Sequence, residues 1–291
     1  MSESPISLVF CGTSEFAVPI LERLASNAAF RIDLVITQPD RPAGRKQELT
    51  PPPVKVAAEK LGLKIAQPEK LNADIGALSA TLKPDYLVVA SYGQLLSDAV
   101  LAWPKIKPVN VHPSLLPRWR GATPLNHTIL GGDRESGTTI QVMAKEMDAG
   151  PILAQEKVMI DPRETYQSLH DRLAELSAPL LEKVLLSEPE PKPQPESGIT
   201  ICKKLSREDG VCDSRSMTAE EIDRKVRGLN PWPGVTMDVQ GVNLKILETD
   251  VSPHPKAIPV NCTEGTLYLV TVQEAGKKPL SGADWARGKK L

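Results

Sequence analysis

At 291 residues with 41% hydrophobic side chains, the chain can bury one large core or two ordinary ones, and two domains is the better reading. A formal charge of −1 gives no global nucleic-acid signature, and the slight basic excess within residues 200–291 decides nothing alone. Cys11, Cys202, Cys212 and Cys262 form no CxxC pair, and the histidines show no metal spacing, so a reducing compartment without structural zinc is expected. The N-terminus has no signal-like or Arg-rich transit pattern, and no apolar run approaches the ~20 residues of a membrane span, so a cytoplasmic protein without a membrane partner is expected.

From residue 6, short β-branched apolar runs alternate with helical patterns. ISLVFCG leads to a helix from about Glu15 to Ser26, RIDLVITQ to one from about Pro53 to Leu61, and DYLVVASYG to a short one near Ser97 to Leu101; KPVNVH follows. Strands rich in Val and Ile, each followed by a helix, predict a Rossmann-like α/β domain with a parallel sheet covered on both faces. Ligands of such sheets bind in the loops beyond the carboxyl ends of the strands, here Gly12 to Ser14, Gln38 to Pro52, Ser91 to Gln94 and the stretch after Val109. The first of these loops, CGTSEF, has one glycine where the dinucleotide fingerprint needs three, which demotes nucleotide binding.

GTTIQVMAKEMDAGPILAQEKVMI reads as two strands around a turn, and a helix from about Thr165 to Leu186 follows. Pro189, Pro191, Pro193 and Pro195 then impose an extended, semi-rigid connector. Beyond it, Thr218 and Glu221 make a capping box for a helix to Gly228. Short alternating strands separated by Gly, Pro and Asn come next and predict a small β-barrel or sandwich, for which the OB-like barrel, a frequent nucleic-acid binder, is the natural candidate. The expected division is a catalytic domain at 1–188, a Pro-rich linker at 189–206 and an OB-like domain at 207–291.

The stretch VNVHPSLLPRWRGATP, residues 109–124, concentrates the chemistry. Asn110 and His112 alternate with Val109 and Val111, so in a strand both point the same way. Asp148 lies in MDAGP, a turn after an apolar strand, where a carboxylate most often serves an Asx-turn. An amide donor and an imidazole aimed at one point, with a carboxylate available to the imidazole, suit acyl transfer, which builds charge on a carbonyl oxygen and must move a proton. Cys11 sits at the end of a buried strand and Ser114 lacks a G-x-S-x-G elbow, so direct attack by the acceptor is expected rather than a covalent enzyme intermediate.

NVHPSLLPRWRGATP taken with MDAGPIL resembles the formyltransferase family that uses 10-formyltetrahydrofolate, whose shared pattern is Asn-x-His, then Ser-Leu-Leu-Pro, then an Asp further along. FCGTSEFAVPIL, TQPDRPAGR, SYGQLL, LNPWPGV and AGKKPLSG extend the resemblance from residue 8 to 282 and point to the branch that formylates methionyl initiator tRNA. The resemblance implies Asn110, His112 and Asp148 as catalytic residues, with 10-formyltetrahydrofolate as co-substrate, methionyl initiator tRNA as acceptor, no metal, and a monomeric enzyme. It also implies Ser114, Leu115, Leu116 and Pro117 as the wall of the folate pocket. Arg41, Arg45 and Lys46 would grip the tRNA acceptor end, at least one of Arg118 and Arg120 would meet a phosphate or folate glutamate, and Lys203, Lys204, Arg224, Arg227, Lys277 and Lys278 would form a second basic surface. A 10-formyltetrahydrofolate hydrolase and a sugar-nucleotide N-formyltransferase are the alternatives. Two positions depart from the family pattern: Pro151 stands where many members have Asp, and Ser214 where an aromatic commonly follows Asp213.

Overall fold

The computed structural model describes residues 4–44 and 47–289, which fall into two compact units. The first comprises the chain up to Gly121, Ser136–Val158 and His170–Ile201; the second comprises Ala122–Glu135, Met159–Leu169 and the chain from Cys202.

In the first unit seven strands form one sheet in the order Ile152–Met159, Glu135–Val142, Lys107–His112, Tyr86–Ala90, Ile6–Gly12, Phe30–Ile36 and Ile65–Ala66. Every side chain of Tyr86–Ala90, and all but the first of Ile6–Gly12, is buried, as strands covered on both faces require. The five strands from Lys107–His112 to Ile65–Ala66 are parallel, and Glu135–Val142 adds to this core in the antiparallel sense. The expected first helix begins as a 3-10 turn at Glu15–Ala17 and continues as Val18–Ser26, with Pro19 in its first turn, where a missing N–H costs nothing. Pro53–Lys60 buries Val54, Ala57 and Ala58. The helix Leu71–Thr81 escaped the sequence reading because it has no side-chain cap and buries only Leu71 and Ile75.

The second unit carries a mostly antiparallel sheet, consistent with a small OB-like domain. Val211–Cys212, Val235–Val239, Val242–Asp250, Thr266–Glu274 and Ile258–Asn261 are neighbours in that order, and Leu280–Ser281 pairs with Thr266–Glu274. Alternate residues of these strands, among them Val235, Met237, Leu244, Ile246, Leu267 and Leu269, face a core completed by Ile222, Val226, Leu229 and Trp285. The helix is Ala219–Leu229, opened by the Thr218–Glu221 capping box that the sequence predicts. Against it lies a helix absent from the sequence reading, Pro124–Leu130, whose Asn126 amide donates to the Gly228 carbonyl at 2.7 Å.

Glu274 takes hydrogen bonds from Lys277 and Lys289 and from Trp285 Nε1, the last at 2.7 Å, which together hold its carboxyl down to about 2. A carboxyl depressed by folding stabilises the protein above its ordinary value, near 4.5 here, and that contribution disappears as pH falls through the folded value. Glu274→Gln should therefore lower the melting temperature at pH 7, with the gap to the parent closing between about pH 4.5 and 2. Thermal melts at stepped pH measure this; a gap that stays constant would remove the carboxylate from the account.

Candidate active site

The strand Lys107–His112 buries Val109 and Val111 on one side and turns Asn110 and His112 to the other, as their alternation predicts. Asp148 comes from the turn after Glu135–Val142. Its Oδ1 lies 3.4 Å from Asn110 Nδ2 and 3.6 Å from His112 Nδ1, and the side chains of His112 and Asp148 are only 5% and 12% exposed. The three residues singled out from sequence thus converge on one carboxylate oxygen.

The closest donors to Asp148 are two others. Gln141 Nε2 donates to Oδ1 at 3.0 Å, and the Gly121 backbone N–H donates to Oδ2 at 2.9 Å. The contacts to Asn110 and His112 are longer, the second just beyond hydrogen-bond range, so the carboxylate is held independently of the pair it faces. His112 Nε2 lies 2.9 Å from the Trp119 carbonyl oxygen, which can only accept, so Nε2 carries a proton and Nδ1 faces the carboxylate. Nδ1 is therefore the ring nitrogen turned toward Asp148, 3.6 Å from its Oδ1.

Two backbone features shape this arrangement. Trp119 and Asp148, the residues on either side of the imidazole, both have positive φ, 61° and 53°, conformations that cost of order 1–3 kcal/mol each and persist only where the surroundings enforce them. The turn bearing Asp148 also approaches the preceding strand so closely at Gly150 that a Cβ there would lie 1.8 Å from the Val142 carbonyl oxygen. Only glycine fits.

The Ser114 to Pro117 loop is bound into the same framework. Ser114 Oγ donates to the Arg118 carbonyl at 2.6 Å, Thr139 Oγ1 donates to the Ser114 carbonyl at 2.6 Å and accepts from Leu116 N at 3.1 Å, and Gln155 Nε2 holds the Leu116 carbonyl at 2.9 Å. Ser114 and Leu116 are buried by this network, which leaves Leu115 and Pro117 as the partly exposed members of the tetrapeptide. Arg118 stacks over the Trp119 ring at 4.3 Å, and Arg120 donates from Nε and Nη2 to Gln194 Oε1 at 3.0 and 2.8 Å. Cys11 is fully buried, and burial pushes its thiol upward, away from the thiolate a nucleophile needs.

Sequence reasoning missed Thr139, Gln141, Gln155 and Gln194. A signal was available for two of them: Gln141 sits opposite Asn110, and Thr139 opposite His112, in the antiparallel pairing of their strands, and both are polar residues inside a buried run. Gln194 sits among prolines with no periodicity to mark it.

The basic residues expected at tRNA are more scattered. The long loop Gln38 to Pro52 contains a short hairpin, Arg41–Ala43 with Glu48–Thr50, and Arg41 pairs with Glu69. Arg45 and Lys46 lie outside the described residues. In the second unit Lys203, Lys204, Lys277 and Lys278 are exposed. Arg227 departs from the expected surface role: only 14% exposed, it donates from Nε to Asp223 at 2.8 Å and from Nη1 to the Glu164 carbonyl at 2.8 Å, because the buried Asp223 needs a cation.

Residues 6–185 match the formyl transferase family, and residues 204–290 match its C-terminal domain. Methionyl-tRNA formyltransferases from Halorhodospira halophila and Roseiflexus castenholzii are 40% and 43% identical, each over 98% of this chain and 96% and 97% of their own. Among solved structures, the fold resembles the Helicobacter canadensis N-formyltransferase in complex with folinic acid and dTDP-3-aminofucose, with a TM-score of 0.68 and 18% identity over 91% of this chain and 98% of that one. It also resembles HypX from Aquifex aeolicus in complex with tetrahydrofolic acid, with a TM-score of 0.61 and 19% identity over 97% of this chain and 47% of that one. With both domains matched and close relatives aligned almost end to end, the chain belongs to the methionyl-tRNA formyltransferase family.

Proposed function

We propose that the protein transfers the formyl group of 10-formyltetrahydrofolate to the α-amine of methionyl initiator tRNA, with Asn110, His112 and Asp148 as the catalytic residues. The observation that carries the chemistry is the convergence of an amide donor and an imidazole on one oxygen of a nearly buried carboxylate. The amine nitrogen attacks the formyl carbon, forming the new C–N bond and moving charge onto the formyl oxygen. The Asn110 amide, whose 3.4 Å contact to Asp148 is weak enough to exchange, donates to that oxygen. Collapse of the adduct breaks the bond to N10 of the folate, and the proton released by the amine passes to N10 with His112 as its carrier and Asp148 stabilising the imidazolium. No covalent enzyme intermediate and no metal is required.

Ser114 to Pro117 are assigned to the folate wall, with Leu115 and Pro117 supplying apolar contact and Ser114 and Leu116 anchoring them. Residues 1–188 carry the chemistry and 189–206 the connection. Residues 207–291, with Arg41, Arg45 and Lys46, meet the tRNA, where exposed cations neutralise phosphates. The enzyme acts as a cytoplasmic monomer without a membrane partner; in the described residues no helix is long and apolar enough to cross one.

The test offers 10-formyltetrahydrofolate with methionyl initiator tRNA, methionyl elongator tRNA, an amino-sugar nucleotide, or no acceptor. Formylation confined to the initiator species is expected. Folate turnover without an acceptor would make the protein a hydrolase, and transfer to the sugar nucleotide would move it to the other branch.

A further inference from the structure

The Pro-rich connector is built into the wall of the catalytic centre. Lys192 exchanges two backbone hydrogen bonds with Ile152, at 2.7 and 2.8 Å, as an added strand would. Gln194 Nε2 then donates to two carbonyls of the catalytic turn, those of Asp148 and Gly150, at 2.7 Å each, while its Oε1 takes the Arg120 guanidinium. Further on, Thr200 Oγ1 accepts from Trp119 N at 2.7 Å, and the Thr200 carbonyl accepts from Arg120 N at 2.9 Å.

These contacts fall on particular backbone groups. Asp148 and Trp119 are the two positive-φ residues that face the two nitrogens of His112, Asp148 through its carboxylate and Trp119 through its carbonyl. One connector side chain pins each: Gln194 the backbone of Asp148, Thr200 the backbone of Trp119. Left-handed conformations of non-glycine residues relax unless they are held.

We propose that Gln194 and Thr200 are positioning residues for formyl transfer, fixing from the connector the carboxylate and the carbonyl between which His112 works. This inference rests on the catalytic reading of His112 and Asp148. Its expected signature is a loss of kcat without a change in KM, because a misplaced imidazole costs transition-state stabilisation while the substrate-binding surfaces remain.

The experiment measures kcat and KM for both substrates in the full chain carrying Thr200→Val, Thr200→Ser, Gln194→Ala or Gln194→Glu, with Asp148→Asn in parallel and thermal melts as folding controls. Thr200→Val removes only the hydroxyl acceptor at nearly constant shape. Gln194→Glu keeps the partner of Arg120 but removes the donor to the two carbonyls, and serves if Gln194→Ala fails to fold. The expected result is a fall in kcat of about tenfold to a hundredfold for Thr200→Val and both Gln194 variants, KM values within about twofold of the parent, and recovery in Thr200→Ser. Normal kcat in those variants beside an inactive Asp148→Asn would overturn the inference while sparing the catalytic reading; so would a raised KM at constant kcat. An active Asp148→Asn would instead remove the catalytic reading itself.

Discussion

Replacement of His112 by alanine is expected to lower formyl transfer by about two to four orders of magnitude while leaving tetrahydrofolate affinity nearly unchanged. His112 is 4% exposed and its imidazole faces the Trp119 carbonyl on one side and the Asp148 carboxylate on the other. Its contribution is proton movement in the transition state, and removing a group that acts there alone lowers kcat and kcat/KM together. Alanine also leaves a small void and an unsatisfied carbonyl at Trp119. His112→Gln, which can still donate to that carbonyl, separates the two effects: it should retain the fold and remain as slow as alanine. Single-turnover rates with folate affinity measured by fluorescence titration supply the comparison, and a His112→Gln enzyme that turns over normally would sink the assignment.

Loss of Asp223 should cost the second unit about 3–5 kcal/mol, the range for breaking a buried ion pair by removal of one partner. The Asp223 side chain is 4% exposed, and its carboxylate receives Arg163 Nη1 at 3.0 and 3.1 Å, Arg227 Nε at 2.8 Å and Thr249 Oγ1 at 2.8 Å. Arg163 is 45% exposed and can fall back on water, but Arg227 is 14% exposed and cannot. Asp223→Ala therefore strands one cation in a desolvated site, and a domain of ordinary stability has only about 5–15 kcal/mol to lose. Denaturant titration followed by Trp fluorescence reads the effect, and a midpoint unchanged from the parent would show that water reaches Arg227 after all.

The site was legible in the sequence to the depth of its reacting groups. Asn110 and His112 announced a shared side by alternating with valines, and their position after an apolar strand placed them where α/β sheets bind ligands. Asp148 was legible as a polar residue in a turn, but its partnership with His112 came from the family pattern, because contacts across 36 positions leave no local signature. Gln141 left only the trace of a polar residue inside a buried run, and Gly121 left none, because it reaches Asp148 with a backbone amide that every residue possesses. In the fold, strongly periodic elements such as Tyr166–Ser187 and Ala219–Leu229 were read within a residue or so of their ends, whereas Leu71–Thr81 and Pro124–Leu130 lack the side-chain caps that would have marked where they start. Basic residues proved the least readable, since charge alone does not distinguish Arg227, spent on a buried carboxylate, from the exposed Lys203 and Lys204.

The absence of a side chain at Gly150 has its own consequence for the chemistry. Any carbon at that position would collide with the Val142 carbonyl, and relief could come only by lifting the turn off its strand. Asp148, two residues earlier on the same turn, would be lifted with it. The depth at which the carboxylate sits is thus written in a residue that has nothing to ionise, donate or accept, and a redesign that preserved every reactive group but filled that gap would dismantle the centre from behind.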